Sequence, residues 1–161
     1  MNFVVDKEKN KVRVTREFTA PLSKVWAAWT QSELLDQWWA PKPWKARTKT
    51  MDFKDGGFWL YAMVGPEGEE HWCRADFKSV SPMKSFKGID AFCDPNGKIT
   101  NEFPIAYWHC NFSETKNKTT VNIEIEFGSL ADLEKYIELG FKEGFTMALG
   151  NLDELLVSAK V

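Results

Sequence analysis

The 161-residue sequence has few cysteines, no cluster of basic residues and no long hydrophobic run. Its cysteines, Cys73, Cys93 and Cys110, are odd in number and follow no metal-ligand spacing, so we expect free thiols and no metal site. No stretch approaches the ~20 apolar residues of a membrane-spanning helix, and the charged N-terminus MNFVVDKEKN does not have the pattern of a signal peptide. We therefore expect a cytoplasmic protein that does not insert into a membrane.

The formal net charge is only −2, and a chain without a basic patch has no electrostatic footprint for nucleic acid or for an anionic membrane surface. A phosphate-binding glycine loop, an HExxH motif and a GxSxG elbow are also missing from the sequence, which gives no support to a nucleotide-binding or hydrolase function. No cofactor is expected. Because no linker rich in Gly, Ser or Pro divides the chain, residues 1–161 are predicted to form one domain.

Aromatic residues, in contrast, are abundant: the chain has eight Trp, twelve Phe and three Tyr. Residues 11–18 alternate apolar and charged side chains, which predicts a strand with one buried face. In residues 19–30 the apolar side chains recur with the period of a helix, which predicts a short helix. Thr30 and Glu33 have the spacing of a capping box, which predicts a second short helix that ends at about Gln37.

From residue 44 to residue 127, short apolar segments alternate with the turn signals DGG, GPEG, SPMK and DPNG, which predicts an antiparallel meander. The alternation within these strands assigns one set of side chains to the inner face of the sheet. That set is His71, Cys73, Ala75, Phe77, Trp108, Cys110 and Phe112.

After Gly128 the period becomes helical and holds to the end of the chain, so the sequence predicts one C-terminal helix over about 30 residues and ~45 Å. Ser129 and Asp132 form its predicted N-terminal cap. The predicted buried stripe is Leu130, Leu133, Ile137, Phe141, Phe145, Ala148, Leu152, Leu155, Leu156 and Ala159.

This predicted helix contains glycines at 140, 144 and 150, each of which costs a helix interior roughly 0.5–1 kcal/mol relative to alanine. Gly140 and Gly144 fall at the edge of the buried stripe, whereas Gly150 falls on the opposite side. The inward pair has two interpretations: a strand packs closely against the helix backbone, or a hollow is left between large neighbours such as Phe145 and Met147. Rigid aromatic walls on the sheet favour the hollow.

Two further segments are candidates for the edge of such a hollow. Trp38 and Trp39 precede a stiff segment with two prolines and could close the mouth, although one of the pair is expected to anchor the short helices, and we assign that role to Trp39. The long loop over residues 93–105 is interpreted as a lid or a homodimer contact, with an excursion of no function as the alternative.

The segments PLSKVWAAWTQSELLDQWWAPK, MDFKDGGFW and GFKEGFTMALGNLDEL, with the order strand, two short helices, meander and long helix, resemble a known family. The chain is similar to the activator of heat-shock protein 90 ATPase homologue-like proteins of the START-like (SRPBCC) superfamily. The resemblance extends from about Val12 to Leu156. It implies an α+β helix-grip fold, in which a curved antiparallel sheet wraps around the C-terminal helix and encloses a ligand-sized cavity.

The resemblance also implies that Trp59, Tyr61 and Met63 point inward after the double glycine. The paired GW motif of the family is replaced here by Gly140-Phe141 and Gly144-Phe145, which keeps the glycines and changes the cavity wall. Within the superfamily, one scaffold serves lipid carriers, cyclases, resistance proteins and a cochaperone domain, so the fold alone does not determine the function.

Three functions follow as alternatives. The first is binding of a small hydrophobic or aromatic molecule without catalysis; the second is a cyclase or hydrolase-like enzyme with His71 as acid or base, and Glu70 or Asp90 to orient it. The third is a module that stimulates the ATPase of a heat-shock protein 90 homologue. The candidate ligand contacts are Trp39, Trp59, Tyr61, Met63, His71, Cys73, Phe77, Phe86, Trp108, Cys110, Phe112, Phe141, Gly144, Phe145 and Ala148.

Overall fold

The computed structural model describes residues 2–158, which form a curved, eight-stranded antiparallel sheet and four helices. The strands lie in the order β1-β2-β8-β7-β6-β5-β4-β3. Their bounds are β1 Asn2–Asp6, β2 Lys11–Phe18, β3 Lys45–Met51, β4 Phe58–Val64, β5 Glu70–Ser81, β6 Ser85–Phe92, β7 Ala106–Thr115 and β8 Lys118–Phe127. The predicted turn signals fall between strands, as a meander requires.

The helices are α1 Leu22–Thr30, α2 Ser32–Trp38, α3 Leu130–Glu138 and α4 Phe141–Leu156. The two short helices follow the second strand rather than the first, because β1, which the sequence analysis missed, pairs with β2 at the edge of the sheet. None of the helices within residues 2–158 is long and apolar enough to cross a bilayer.

Alternation of side chains in the central strands produces the buried face of the sheet. In β8, Val121, Ile123 and Ile125 are almost completely buried, whereas Asn122 is exposed. Trp108 of β7 lies directly opposite Ile125 in the register of the two strands. The concave face of the sheet is therefore apolar, and it packs against α4, whose Leu149 and Leu152 are fully buried.

The prediction of a single C-terminal helix is wrong. The helical segment breaks at Gly140, which has φ +87° and caps the N-terminus of α4. Only glycine adopts this left-handed conformation at little cost, so this residue is a junction and not a helix interior. The predicted cap at the start of α3 is present, since the Ser129 side chain accepts a hydrogen bond from the backbone N–H of Asp132. Ala159 lies outside the described residues.

The capping box predicted at Thr30 is also absent from this structure. Thr30 is the last residue of α1, and its hydroxyl donates a 2.7 Å hydrogen bond to the carbonyl of Trp26. Helix α2 begins at Ser32 after Gln31, whose side chain makes no capping hydrogen bond. The hydroxyl therefore bonds back within its own helix instead of capping the next one.

Asn151 and Asp153 of α4 make polar contacts with distant parts of the chain. The side chain of Asn151 is buried and donates hydrogen bonds to the carbonyls of Trp38 and Ala40, at 3.4 and 3.1 Å. Arg16 of β2 forms an ion pair with Asp153. Because each contact links α4 to a distant part of the chain, they fix the position of the helix above the sheet.

The loop after β6 is folded back against the outer face of the sheet rather than projecting from it. Arg74 donates a 2.8 Å hydrogen bond to the carbonyl of Gly97, and Lys49 donates one of 2.9 Å to the carbonyl of Pro95. Further along, the ring of Phe103 packs 4.7 Å from that of Phe92. The second half of this loop therefore borders the end of the sheet where β6 meets the helices.

Candidate functional site

A cavity of about 210 Å³ lies between the concave face of the sheet and the junction of α3 with α4. It reaches the surface beside Leu139, which is half exposed. Its wall is mostly apolar and aromatic. The lining residues are Trp39, Pro41, Tyr61, Met63, Cys73, Asp90, Ala91, Phe92, Trp108, Tyr136, Leu139, Gly140, Phe141, Gly144 and Phe145.

Gly140 and Gly144 both line this cavity, and no strand approaches either of them. A Cβ atom built on Gly144 would meet Pro41 at 3.7 Å, which is an ordinary van der Waals contact. One built on Gly140 would meet only the Glu143 side chain, at 4.0 Å. Of the two interpretations of the glycine pair, the hollow therefore agrees with the geometry, and close strand packing does not.

A second, smaller void of about 40 Å³ lies deeper in the core. Trp39, Asp90 and Trp108 line both spaces and form the partition between them. The indole N–H groups of Trp29 and Trp108 are buried and have no hydrogen-bond partner among the described residues. A space of this size holds a water molecule, for which ~10–15 Å³ is sufficient, and such a water would satisfy these donors.

The two neighbouring tryptophans at the end of α2 have different roles, and their assignment in the sequence analysis is reversed here. Trp38 is fully buried and donates a 2.8 Å hydrogen bond to the carbonyl of Ala28, so it is the anchor of the short helices. Trp39 is half-buried and faces the cavity. Its ring lies 5.5 Å from Trp59 and 5.8 Å from Trp108.

His71 does not belong to the cavity. The residue is exposed near one end of β5, and its ring packs 5.3 Å from the ring of Trp44. The prediction that it faces the interior is wrong. The inward-facing side chains of β5 extend beyond the part of the sheet that is buried, so His71 lies in solvent although it shares a row with Cys73. The carboxylate of Glu70 pairs instead with Arg47 and Trp72, and no hydrogen bond or ion pair joins His71 to Glu70 or Asp90.

The remaining candidate contacts fall into three groups. Those that line the main cavity are Trp39, Tyr61, Met63, Cys73, Trp108, Phe141, Gly144 and Phe145. Those that line the inner void are Trp59, Phe77 and Phe86, together with Trp39 and Trp108. Those that are buried without lining either space are Cys110, Phe112 and Ala148. Met147, placed beside the hollow in the sequence analysis, is half exposed.

The functional candidate that the sequence analysis missed is Asp90. The sequence indicates it only as a partner of His71, but Asp90 lines the main cavity and the inner void. Burial, with a smaller effect from the charge of Asp76, raises the pKa of Asp90 to about 7. The alternation of β6 could have identified it, since Phe86, Gly88 and Asp90 share one face of that strand.

Other titratable groups in and near the cavity are held neutral. Burial raises the pKa of Cys73 and Cys110 far above neutral, so both remain thiols and are poor nucleophiles. Burial likewise raises the pKa of Tyr61 and Tyr136. Among the described residues, no three His, Cys, Asp or Glu side chains are grouped in a way that would hold a metal ion.

A curved antiparallel sheet that wraps around a C-terminal helix and leaves a cavity between them defines a helix-grip protein. A sequence profile of the family described as activator of Hsp90 ATPase homolog 1-like protein matches residues 19–157, and the chain belongs to this family. At the family level, the fold supports a ligand-binding or cochaperone-like module.

Solved structures give the same fold. Protein Ms6760 from Mycobacterium smegmatis is 24% identical, with a TM-score of 0.89, and the match covers 100% of this chain and 98% of that one. A protein from Arthrobacter aurescens is 28% identical over 96% and 90% of the two chains, with a TM-score of 0.91. One from Staphylococcus epidermidis is 29% identical over 95% and 93%, with a TM-score of 0.83. No curated protein matches the chain.

Proposed function

We propose that the protein binds a small hydrophobic or aromatic molecule in the cavity beside Gly140 and Gly144. The observation that supports this function is an internal space of about 210 Å³ whose wall is mainly aromatic and whose glycines leave room instead of admitting a strand. The space exceeds the ~150 Å³ of an engineered apolar cavity that binds benzene, and is below the ~300 Å³ at which drug-sized sites begin. A ligand with one ring and a short chain fits this range.

The cavity also has the rigidity that a binding site requires. Phe141 and Phe145 stack with their ring centroids 5.2 Å apart, and Trp108 packs edge-on against Phe145 at 5.6 Å. Side chains held in this way lose little entropy when a ligand enters, so more of the gain from apolar burial, roughly 25 cal/mol per Å², is available for affinity.

Filling the cavity from the helix tests this function. Gly144→Leu would extend a side chain into the space, whereas Gly150→Leu, at a position where a Cβ meets no atom within 4 Å, is the matched control. Toluene is titrated into each protein and followed by amide chemical shifts. We expect saturable shifts at cavity residues in the wild type and in Gly150→Leu, and their loss in Gly144→Leu. Equal binding by all three proteins would contradict the placement.

Native mass spectrometry of freshly purified protein complements the titration, because a co-purified compound would identify the chemical class of the natural ligand. The same Gly144→Leu protein is the control for this measurement. A bound mass retained in that variant would locate the compound outside the cavity.

A second candidate function is stimulation of a heat-shock protein 90 ATPase, which is favoured by the family match over residues 19–157. It predicts that the protein raises the ATPase rate of a heat-shock protein 90 homologue in a purified mixture. An unchanged rate, with no complex detected by pull-down, would count against it. Cavity-filling by Gly144→Leu separates the two functions, since it removes only the uptake of the small molecule.

A further inference from the structure

The wall of the main cavity contains one charged residue. Among the residues described as lining it, Asp90 is the sole acid, and no Lys, Arg or His is present. Asp90 is half-buried as a residue, and its carboxyl accepts no hydrogen bond from the described residues. An acid placed at an apolar site without a donor is costly to the fold, and such groups are found where a ligand supplies the missing partner.

The groups around Asp90 leave it unpaired. Tyr61 on β4 accepts a 2.9 Å hydrogen bond from the indole N–H of Trp39, and its own hydroxyl is hydrogen-bonded to the sulfur of Cys73. Asp76 on β5 is paired with Arg74 on the same strand, at 2.6 Å. The other titratable groups that act on Asp90 or on its neighbours are Cys73 on β5, Cys110 on β7 and Tyr136 on α3, all of them neutral through burial. Arg74 carries the one positive charge among these groups, and its guanidinium is engaged by Asp76 and by the carbonyl of Gly97.

The aromatic wall, like the carboxyl, favours a positively charged ligand. Trp39, Trp108, Phe141 and Phe145 all line the space, and aromatic ring faces attract cations through their quadrupole. An anion would meet both these faces and a carboxyl of the same sign. The electrostatics of the cavity therefore select against an acidic ligand and in favour of a cationic one.

We propose that the ligand is a hydrophobic amine, with its apolar body against the aromatic wall and its protonated nitrogen donating to the carboxylate of Asp90. This inference rests on the proposed function and specifies the class of its ligand. Because the protein already bears the cost of removing the carboxyl from water, an ammonium group recovers interaction energy on binding that an uncharged group of the same shape does not. The size of the cavity limits the body of the amine to about one ring.

Three probes of matched shape test the proposal: 2-phenylethylamine, 2-phenylethanol and 3-phenylpropanoate. Each is titrated calorimetrically into the wild type, Asp90→Asn and Asp76→Asn, the last removing an acid that does not line the cavity. In the wild type, the amine should bind about tenfold or more tightly than the alcohol, and the anion should bind weakest. In Asp90→Asn the amine should fall to the level of the alcohol, whose own affinity stays within about threefold. Asp76→Asn should keep the preference for the amine.

The dependence of amine affinity on pH tests the proposal independently of the choice of probe. An alkylammonium, like that of lysine, remains protonated near neutral pH, so the titrating group is Asp90, whose pKa is about 7 in the empty site. Amine affinity for the wild type should fall as the pH is lowered from about 8 to about 5, and should stay constant for Asp90→Asn. Affinity that stays constant or rises on acidification would overturn the proposal, because an ammonium group can only donate and the protonated acid of Asp90 is a poorer acceptor than its carboxylate.

The outcomes separate this inference from the function on which it rests. If toluene or the alcohol binds and the amine binds no better, the amine proposal fails while the binding function stands. If none of the probes, toluene included, binds the wild type, both fail. Asp90→Asn retains the shape of the side chain, and its fold is checked by circular dichroism before any loss of affinity is interpreted.

Discussion

The indole Nε1 of Trp39 donates a hydrogen bond to the hydroxyl of Tyr61 across 2.9 Å, and so joins the end of α2 to the middle of β4. Both side chains line the cavity, and Tyr61 also stacks on Trp59 with a centroid distance of 3.8 Å. The wall of the site is therefore braced by polar contact as well as by packing. This bond connects the stability of the fold to the shape of the cavity.

Tyr61→Phe should lower the free energy of unfolding by about 1–3 kcal/mol, because it leaves the indole N–H of Trp39 without its acceptor in a largely buried position. The ring and its stacking remain. Denaturant unfolding measures the loss, and Tyr107→Phe, at a residue that is half exposed, is the matched control. An equal effect of the two substitutions would show that the hydrogen bond contributes nothing.

Asp90 should make the stability of the empty protein depend on pH. Its pKa is about 7 in the fold against an ordinary value of 3.8, so the folded state binds more protons than the unfolded state between these limits. The free energy of unfolding therefore decreases as the pH rises through this window, by up to ~4 kcal/mol at about 1.4 kcal/mol per pKa unit.

Asp90→Asn should remove this contribution and be the more stable protein at about pH 8. The measurement is the difference between the unfolding free energies of the two proteins at several pH values. Other carboxyl groups, such as Glu70 and Glu124, titrate in both proteins and cancel in that difference. A difference that does not change with pH would show that the carboxyl is solvated in the empty cavity.

Gly140 at the junction and the two glycines within α4 should respond differently to alanine. Gly144→Ala and Gly150→Ala should each stabilise the fold by roughly 0.5–1 kcal/mol, because both positions lie within α4 and have room for a methyl group. Gly140→Ala should destabilise it by about 1 kcal/mol or more, since that residue has φ +87°. Thermal unfolding of the three variants measures the order, and a stabilised Gly140→Ala would contradict the assignment of the junction.

Asn151 should be essential for the position of α4. Asn151→Ala removes two donated hydrogen bonds and leaves the carbonyls of Trp38 and Ala40 unpaired in the core, at an expected cost of ~2–3 kcal/mol. Asn151→Asp should cost more, because it places a carboxylate against carbonyl oxygens. The exposed Asn111→Ala provides the reference in denaturant unfolding. A loss no larger than that of the reference would exclude a structural role for these two hydrogen bonds.

The sequence predicts much of the fold because burial of one face of a strand or helix determines how often apolar residues recur along it. The alternation in β8 and the helical period after Gly128 both correspond to observed elements. The break at Gly140 could not be predicted from this signal, because a single residue of positive φ interrupts the backbone while the apolar stripe continues beyond it. Thr30 shows a related limit, since the spacing of a capping box does not reveal which carbonyl its hydroxyl will reach.

The cavity itself was predicted from two glycines and an excess of aromatic residues, whereas its chemistry was not. His71 and Asp90 are both polar residues in inward-facing rows, and only position along the strand separates an exposed histidine from a cavity carboxyl. Whether a given position on the strand is buried depends on how far α3 and α4 cover the sheet. Side-chain alternation contains no information about the extent of this cover.

The break at Gly140 divides the helical wall of the cavity into two parts, α3 and α4, that are packed on the core to different extents. Helix α4 is held by seven buried residues, whereas α3, which contributes Tyr136 to the opening, has Leu133 alone. Local opening free energy follows the apolar area that an element buries. The doorway of the site is thus bordered by a helix that costs less to displace than α4, and moving it would leave the grip of the sheet on α4 intact.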